Sequence, residues 1–278
     1  MLVGREMEAL YSFFPARAEW PDAIDDALAV SRRAQRLRLV SGAKNLNALT
    51  SYRELKALWC FDIGSEELGR ICGCQSLEAL HIENLKTDDI SSLEKLPHLK
   101  VLSLNTCASV KSFEQLIRLS SLSSLALIHF KNVHHLEPLS RLSSLRSLAV
   151  AGSVWARMQV ESFRPLENLK SLELLHLTNI KAQDESLKPL AALKNLKQLD
   201  IANFYPMSEF AALSSSLTTT TCTWFQPYQP FEHTNCKKCG SRNMLMLTGK
   251  GRPKLCKKCD RKRLERHVED WNRIAAAA

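Results

Sequence analysis

The sequence predicts an α/β fold in which a repeated strand-and-turn unit coils into a solenoid, followed by a small C-terminal domain of different composition. Leucine accounts for 45 of the 278 residues and recurs in a fixed pattern, whereas glycine accounts for only 9. Four of the nine cysteines form two close pairs near the C-terminus. A hydrophobic content of 45% excludes a disordered chain, because disordered chains carry too few apolar residues to bury a core.

The repeated unit is L-x-x-L-x-L, and its short, nearly constant period is typical of a solenoid. Its fourth positions are 37, 58, 80, 102, 125, 148, 172, 199 and 220. The L-x-L part alternates as a strand does, with leucines on one face and the residue between them on the other. Parallel strands need a crossover in every repeat. Leucines three residues apart, such as Leu93, Leu96 and Leu99, predict a 3₁₀ or short α-helical turn in that crossover.

This pattern resembles the leucine-rich repeat family, in its class of short repeats, over residues 34–224. The resemblance implies a solenoid with a parallel sheet on its concave face and 3₁₀ or short helices on its convex face. The family usually has Asn or Cys at the ninth repeat position, where only Cys107 fits the rule in this chain. We therefore expect turns that are packed by apolar side chains more than they are held by side-chain hydrogen bonds.

Both ends of such a solenoid need caps, because a terminal repeat cannot bury its apolar edge alone. Residues 1–33 are predicted to form a helical N-terminal cap, with one helix around Met7 to Phe14 and a second that starts at Pro21. Residues 217–224 are predicted to form a last strand of the solenoid. The prolines in 225–232 predict a stiff linker to the second domain, 233–274.

Two C-x-x-C pairs, one on each side of the segment 240–255, define the second domain. Their cysteines are Cys236, Cys239, Cys256 and Cys259. This spacing predicts a four-cysteine zinc site with a β-hairpin between the pairs, and the segment 233–259 resembles the zinc-ribbon family. Because cysteine fills all four ligand positions, we expect a structural zinc without an open position for catalysis. The alternatives are His233 as a replacement ligand and a redox role for the C-x-x-C pairs.

Positive charge concentrates in the same region. From Glu232 to Ile274 the sequence has 13 Lys or Arg and 5 Asp or Glu, a net of +8, against +9 for the whole chain. The hairpin tip, 248–254, is basic and expected to be mobile, and an amphipathic helix is predicted after Asp260 as N-cap. The candidate nucleic-acid contacts are Lys250, Arg252, Lys254, Arg261 and Arg263. The alternative is a basic surface that only interacts with solvent.

The concave face is the surface that the solenoid offers to a partner. Trp59 and Phe61 are outward-facing aromatics on one strand, of the kind that anchor interfaces, unless both pack under the N-terminal cap. The candidate partner-binding residues are Trp59, Phe61, His81, Glu83, Asn105, Ile128, His129, Glu173, Leu175, His176 and Asp200. Trp155 lies in an insertion that follows a strand, where it is either a further contact or a buried residue.

The sequence contains no G-x-S-x-G, H-E-x-x-H or paired-carboxylate pattern. We therefore predict a non-enzymatic protein–protein interaction module without a small-molecule substrate. The alternatives are a nucleic-acid-binding adapter that uses the basic ribbon and a bacterial toxin-neutralising, immunity-type protein. An odd number of cysteines without a disulfide pattern favours a reducing compartment, so we expect a cytoplasmic protein. No apolar run is long enough to predict a membrane span.

Overall fold

The computed structural model describes residues 19–153 and 155–278. Strands account for about half of the regular structure in this part of the chain. In order, they are β1 (Ile24–Asp26), β2 (Arg36–Lys44), β3 (Ala57–Ile63), β4 (Ala79–Leu85), β5 (Val101–Asn105), β6 (Ser124–Ile128), β7 (Ser147–Ala151), β8 (Met158–Val160), β9 (Leu174–Leu177), β10 (Ile180–Ala182), β11 (Gln198–Ile201), β12 (Tyr228–Pro230), β13 (Met244–Leu247) and β14 (Lys254–Cys256).

Nine of these strands form one parallel sheet, in the order β1-β2-β3-β4-β5-β6-β7-β9-β11. The inward leucines lie opposite one another across the sheet. Leu58, Leu80, Leu102, Leu125 and Leu148 are successive partners, and all are buried. Stacking these side chains makes one continuous core that no single repeat could bury alone. The fold is a leucine-rich repeat solenoid.

From β2 to β11, each strand of the nine-stranded sheet is joined to the next strand of that sheet through a short helix on the convex side. The 3₁₀ helices are Leu46–Ser51, Ser91–Lys95, Glu114–Arg118, Glu137–Arg141, Arg164–Asn168 and Lys188–Ala192, and the α-helix α1 is Ser65–Ile71. The leucine within each 3₁₀ helix, such as Leu93 or Leu190, is buried. The three-residue leucine spacing therefore predicted these helices correctly.

The repeat that contains β9 has a different register from the predicted one. The sequence pattern placed Leu172 and Leu174 on the inward face, but Leu175 is the residue paired with Leu148 and Leu199. The segment 169–177 satisfies L-x-x-L-x-L twice, three residues apart, so leucine spacing alone fits both registers. The structure adopts the second register because it aligns Leu175 with the buried leucines of both neighbouring strands.

The corrected register makes the interval between Leu148 and Leu175 the longest in the solenoid. Part of this longer interval forms β8, which lies between β7 and β9 in the chain. β8 pairs in parallel with β10, at the edge where the strands of the large sheet end. Met158 and Val160 of β8 are buried, so this two-stranded sheet extends the core.

The predicted helical N-terminal cap is wrong where the structure describes it. The predicted first helix lies outside the described residues. From Pro21, the predicted start of the second helix, the chain instead forms β1, which adds to the sheet beside β2. The backbone here bonds to the first repeats: the N–H of Ala27 donates to the carbonyl oxygen of Lys44 at 3.0 Å, and the Tyr52 hydroxyl donates to Ala27.

The C-terminal end also differs from the prediction. Helix α2 (Met207–Ser216) follows β11, and the predicted last strand at 217–224 is reduced to a single bridge between Thr221 and Gln198. The predicted linker contains β12, which pairs antiparallel with β13, and β13 pairs antiparallel with β14 as the hairpin prediction required. Helix α3 (Arg261–Ala277) ends the chain. Among the described residues, no helix has the length and apolar character to cross a membrane.

Candidate functional site

The two C-x-x-C pairs come together at one end of the three-stranded sheet. The Sγ atoms of the four cysteines all lie within 4.8 Å of one another. The Sγ–Sγ distances are 3.9 Å for Cys236–Cys259 and 3.8 Å for Cys239–Cys256. Thiolates around a tetrahedral zinc, with Zn–S bonds of about 2.3 Å, lie about 3.8 Å apart. The cluster therefore has dimensions compatible with zinc binding.

Hydrogen bonds hold the first cysteine pair in a tight turn. The N–H of Gly240 donates to the carbonyl oxygen of Cys236, and the N–H of Cys236 donates to that of Ser241, both at 2.8 Å. Gly240 has a φ of 68°, in the left-handed region that glycine adopts readily. The N–H of Lys238 also lies 3.4 Å from the Cys236 sulfur, so the turn presents a backbone donor to a ligand atom.

Two thiols of the cluster, Cys239 and Cys256, have lowered pKa values, whereas hydrogen bonding with the other cysteines raises the pKa of Cys259 to about 12. The Ser241 hydroxyl lies 3.2 Å from the Cys239 sulfur, and hydrogen bonding by Ser241 lowers the pKa of Cys239 to about 6. Burial instead raises the pKa values of Cys72 and Cys107 to about 12. Because the thiolate is the form that ligates a metal, the lowered pKa values of Cys239 and Cys256 favour metal binding, and the buried solenoid thiols are suited to apolar packing.

Asp260 connects the second cysteine pair to helix α3. Its Oδ2 accepts a hydrogen bond from the N–H of Cys256 at 3.0 Å, and its Oδ1 lies 3.2 Å from the Nζ of Lys238 in the first pair. Asp260 occupies the predicted N-cap position, but its side chain makes no capping hydrogen bond to the helix. The carboxylate holds the two cysteine pairs together instead, a role that the sequence analysis missed. The Cys256 N–H and the Lys238 ammonium lower the pKa of this carboxyl group.

The hairpin tip is docked on the solenoid, so the prediction of a mobile tip is wrong. The side-chain amide of Asn203 donates to the carbonyl oxygen of Leu247 at 3.0 Å and accepts from the N–H of Gly249 at 2.7 Å. The N–H of Lys250 donates to the carbonyl oxygen of Tyr205 at 2.7 Å. Sequence analysis missed these contacts because Asn203 and Tyr205 are far from the tip along the chain.

The close approach of the hairpin tip to helix α2 depends on a glycine. Gly249 has a φ of +117°, and a Cβ there would lie 2.9 Å from the Cβ of Met207 on α2. A side chain at this position would therefore separate the ribbon from the solenoid.

Helix α3 packs on the ribbon and on the solenoid together. Leu264 and Val268 pack against the hairpin residues, whereas Trp271 is part of the solenoid core. The Nε2 of His267 lies 2.8 Å from the carbonyl oxygen of Pro227. Further along, the Ser215 hydroxyl on α2 donates to the carbonyl oxygen of Ala275 at 2.6 Å. The predicted apolar face thus connects both parts of the chain.

Most of the predicted nucleic-acid contacts have partners inside the protein. Lys250 lies 2.5 Å from a Glu185 carboxylate oxygen, and Lys254 lies 3.7 Å from the ring centre of Phe231. Arg261 pairs with Glu265 at 2.8 Å, and Arg263 lies 3.9 Å from Asp260. In the described part of the ribbon, the exposed cations with neither a carboxylate nor an aromatic partner are Lys237, Arg242, Arg252, Lys257, Lys258, Lys262 and Arg266.

The aromatic end of the concave face is covered. Trp59 is only 1% exposed and packs edge-on against Trp20, with ring centroids 5.4 Å apart. The alternative interpretation, burial under the N-terminal segment, therefore describes Trp59 better than an open contact does. Phe61 is stacked on Trp59 and half-buried.

Two candidate histidines are also buried on the concave side. The Nδ1 of His81 lies 2.9 Å from the Ser103 hydroxyl. The Nδ1 of His176 lies 3.4 Å from a carboxylate oxygen of Asp200, and its Nε2 lies 2.8 Å from the Thr178 hydroxyl. These polar groups bond across neighbouring strands, so they stabilise the sheet.

The register shift removes Leu175 from the candidate contacts, because it is buried in the core with 1% exposure. Leu174 takes the outward position and packs beside Ala126 and Ala149. Glu173 consequently precedes the strand, where it pairs with Arg146 and lies 2.5 Å from Lys197.

Four predicted contacts remain together on the open side of the sheet. They form what we call the concave row: Phe61, Glu83, Asn105 and Ile128, which are successive partners on β3 to β6 and are all half-buried. His129 follows the row with a φ of 61°. Asp62, Asn84 and Thr106 share this left-handed conformation in the preceding repeats, so the chain turns away from the sheet at the same position each time.

No protein-family model matches the sequence, and no curated protein matches it. Among solved structures, an internalin (inlF) from Listeria monocytogenes is 16% identical, with 69% of this chain and 61% of that chain covered and a TM-score of 0.49. Internalin C2 from the same organism is 24% identical, with 63% and 74% covered and a TM-score of 0.48. The Arabidopsis receptor kinase HAESA, in complex with the peptide hormone IDA and the co-receptor SERK1, is 16% identical, with 79% and 38% covered and a TM-score of 0.46. This chain thus spans less than two thirds of the first internalin and of HAESA.

Proposed function

We propose that this chain is a non-enzymatic protein-binding solenoid whose C-terminal ribbon binds one structural zinc ion. The concave row is the observation that carries the binding proposal. An aromatic, a carboxylate, an amide and an aliphatic side chain are presented on four neighbouring strands, about 4.8 Å from one to the next. A hydrogen-bonded sheet holds them in fixed positions, so a partner meets a preorganised surface of mixed chemistry.

The zinc proposal is supported by the close spacing of the four Sγ atoms, which all lie within 4.8 Å of one another, and by the lowered pKa of Cys239. Four thiolates on Zn²⁺ carry a net charge of about −2, and the lysines within both cysteine pairs lie where they offset it. A ribbon of this size has a small apolar core, so metal binding supplies folding free energy that packing does not.

The binding proposal is tested by affinity capture from a host lysate with three baits. These are the wild type, Ile128→Arg on the concave row and Lys95→Ala on the convex face, all zinc-loaded and nuclease-treated. We expect one dominant protein that is lost with Ile128→Arg and retained with Lys95→Ala. If all three baits capture the same proteins in equal amounts, the concave row is not the binding site. Thermal unfolding of each bait checks that it is folded.

The zinc proposal is tested by elemental analysis of protein purified under reducing conditions, together with thiol titration. We expect about one zinc per chain, with the four ribbon thiols protected until a chelator is added. A metal-free protein whose ribbon cysteines titrate as free thiols would contradict it.

Nucleic-acid binding is a second candidate function, favoured by the exposed ribbon cations that have no carboxylate or aromatic partner within the described part of the chain. Their number supports contact with phosphates, and their position moves the candidate surface from the hairpin tip to the cysteine pairs and α3. Binding to single-stranded and duplex DNA at several salt concentrations tests it. Changing Lys258, Lys262 and Arg266 to Ser should flatten the salt dependence more than the same change at Lys250, Arg252 and Lys254. If the wild type shows no salt-dependent binding, this candidate is eliminated.

A further inference from the structure

Trp155 is a large apolar side chain that the solenoid leaves in solvent. It is 95% exposed, and the other exposed large hydrophobic residue in the described part of the chain is Leu28, at 54%. Tryptophan carries more apolar surface than any other side chain, so full exposure costs more here than at any other residue type. Tryptophan is enriched among the residues that anchor protein interfaces.

Hydrogen bonds connect Ser153 to Trp155, to Ala156 and to the next repeat. The Ser153 hydroxyl accepts hydrogen bonds from the N–H groups of Trp155 and Ala156, at 3.3 and 2.9 Å, and the Asn179 side chain donates to the Ser153 carbonyl oxygen. At Gly152, a Cβ would lie 2.3 Å from the carbonyl oxygen of Asn179, so the loop passes too close to the next repeat for any other residue. The backbone of Trp155 is therefore held by the Ser153 hydroxyl.

Two exposed cations follow strands on the same edge of the solenoid as Trp155. The guanidinium of Arg157 lies 3.8 Å from the ring centre of Phe204, and Lys131 is exposed in the loop of the preceding repeat. Neither has a carboxylate partner among the residues that the structure describes. Positive charge beside an apolar side chain is complementary to a partner that combines carboxylates with an apolar group.

This surface is continuous with the concave row. Ile128 pairs with Ala151 at the end of β7, and the N–H of His129 donates to the carbonyl oxygen of Ala151 at 2.8 Å. The loop begins directly after Ala151. On its other side, Phe204 lies between the two residues that hold the hairpin tip, Asn203 and Tyr205.

We propose that Trp155, Arg157 and Lys131 bind an acidic segment of a partner protein, with an apolar side chain of that segment on the indole and its carboxylates on the two cations. This inference rests on the protein-binding function proposed above and adds a specific contact and a partner chemistry to it.

The test is selection from a phage-displayed random peptide library on the immobilised, zinc-loaded full chain. We expect selected peptides to carry Asp or Glu beside an aromatic or aliphatic residue. Synthetic copies should bind Trp155→Ala and Arg157→Glu roughly tenfold or more weakly than the wild type. Trp155→Phe should recover part of the affinity, because the ring is retained. Leu28→Ala removes the other exposed hydrophobic side chain and should leave binding unchanged.

Three results would overturn the inference. They are equal binding of the selected peptides to the wild type and Trp155→Ala, selection of peptides without acidic residues, and no enrichment of any peptide. Ile128→Arg separates this inference from the proposed function. If the peptides bind Ile128→Arg more weakly than the wild type but bind Trp155→Ala equally well, the concave row is their binding site and Trp155 is not part of it.

Discussion

The carboxylate of Asp260 accepts a hydrogen bond from the backbone N–H of Cys256, at 3.0 Å, and so joins the start of helix α3 to a cysteine of the ribbon cluster. The same carboxylate pairs with Lys238 between the other two cysteines. One side chain therefore positions both cysteine pairs and the helix that packs on the solenoid.

We expect Asp260→Asn to weaken zinc binding by roughly 10–100-fold, because residues that orient metal ligands contribute about that much to affinity. Competition with a chromophoric chelator measures the change. Asp270→Asn is the matched control, since Asp270 pairs with Arg273 on α3 at 2.6 Å and belongs to the helix away from the cluster. Equal zinc affinities of the two variants would show that Asp260 does not position the ligands.

Zinc removal should loosen part of the solenoid as well as the ribbon. Trp271 lies in the solenoid core and Ser215 bonds to Ala275, so melting of the ribbon and α3 exposes α2. Hydrogen exchange with and without chelator should show faster exchange in 233–277 and in 203–216, and unchanged exchange in β3 to β6. Protection of 203–216 that survives chelation would contradict this coupling.

Leu174 and Leu175 distinguish the two registers of β9. In the structure Leu175 is in the core and Leu174 faces outward, so Leu175→Ala should lower the free energy of unfolding by about 2–5 kcal/mol and Leu174→Ala by about 1 kcal/mol or less. Urea unfolding compares the variants directly. The reverse order of stability would support the register predicted from sequence.

Gly249→Ala should undock the hairpin tip. Alanine at this position would have to adopt a positive φ, and its Cβ would lie too close to Met207. Backbone strain of this kind costs on the order of 1–3 kcal/mol. Gly251→Ala is the control, because Gly251 also has a positive φ, of +68°, but no atom lies within 4 Å of the added Cβ. Thermal unfolding should show the larger loss for Gly249→Ala, and equal losses would mean that the contact with α2 is unimportant.

Acid should destabilise the protein through His81. Burial lowers the pKa of His81 to about 3, whereas in the unfolded chain it titrates near its ordinary value of 6.5. Below pH 6.5 the unfolded state therefore binds more protons at His81 than the folded state does. The free energy of unfolding should fall by about 1.4 kcal/mol per pH unit until His81 is also protonated in the folded protein. Urea unfolding at pH 7, 6 and 5 should show a shallower loss for His81→Gln than for the exposed control His98→Gln. Identical pH profiles would rule His81 out as the source.

The sequence by itself determined the features that repeat or that lie close in the chain. Leucine spacing was enough for the parallel strands and the 3₁₀ crossovers, because each repeat buries the same positions against its neighbours. The C-x-x-C spacing was enough for the four-cysteine cluster and its hairpin, because each pair forms a local turn.

Only the tertiary structure decided the features that depend on residues far apart. The β9 segment fits the leucine pattern in two registers, and pairing with both neighbouring strands selects one of them. The tip sequence is glycine-rich and basic, yet Asn203 and Tyr205 bind its backbone. Trp59 and Trp155 are both outward candidates in the sequence. Packing against Trp20 buries Trp59, whereas Trp155 is 95% exposed. Periodicity specifies which residues face the core, whereas contacts across the fold specify which of the others remain accessible.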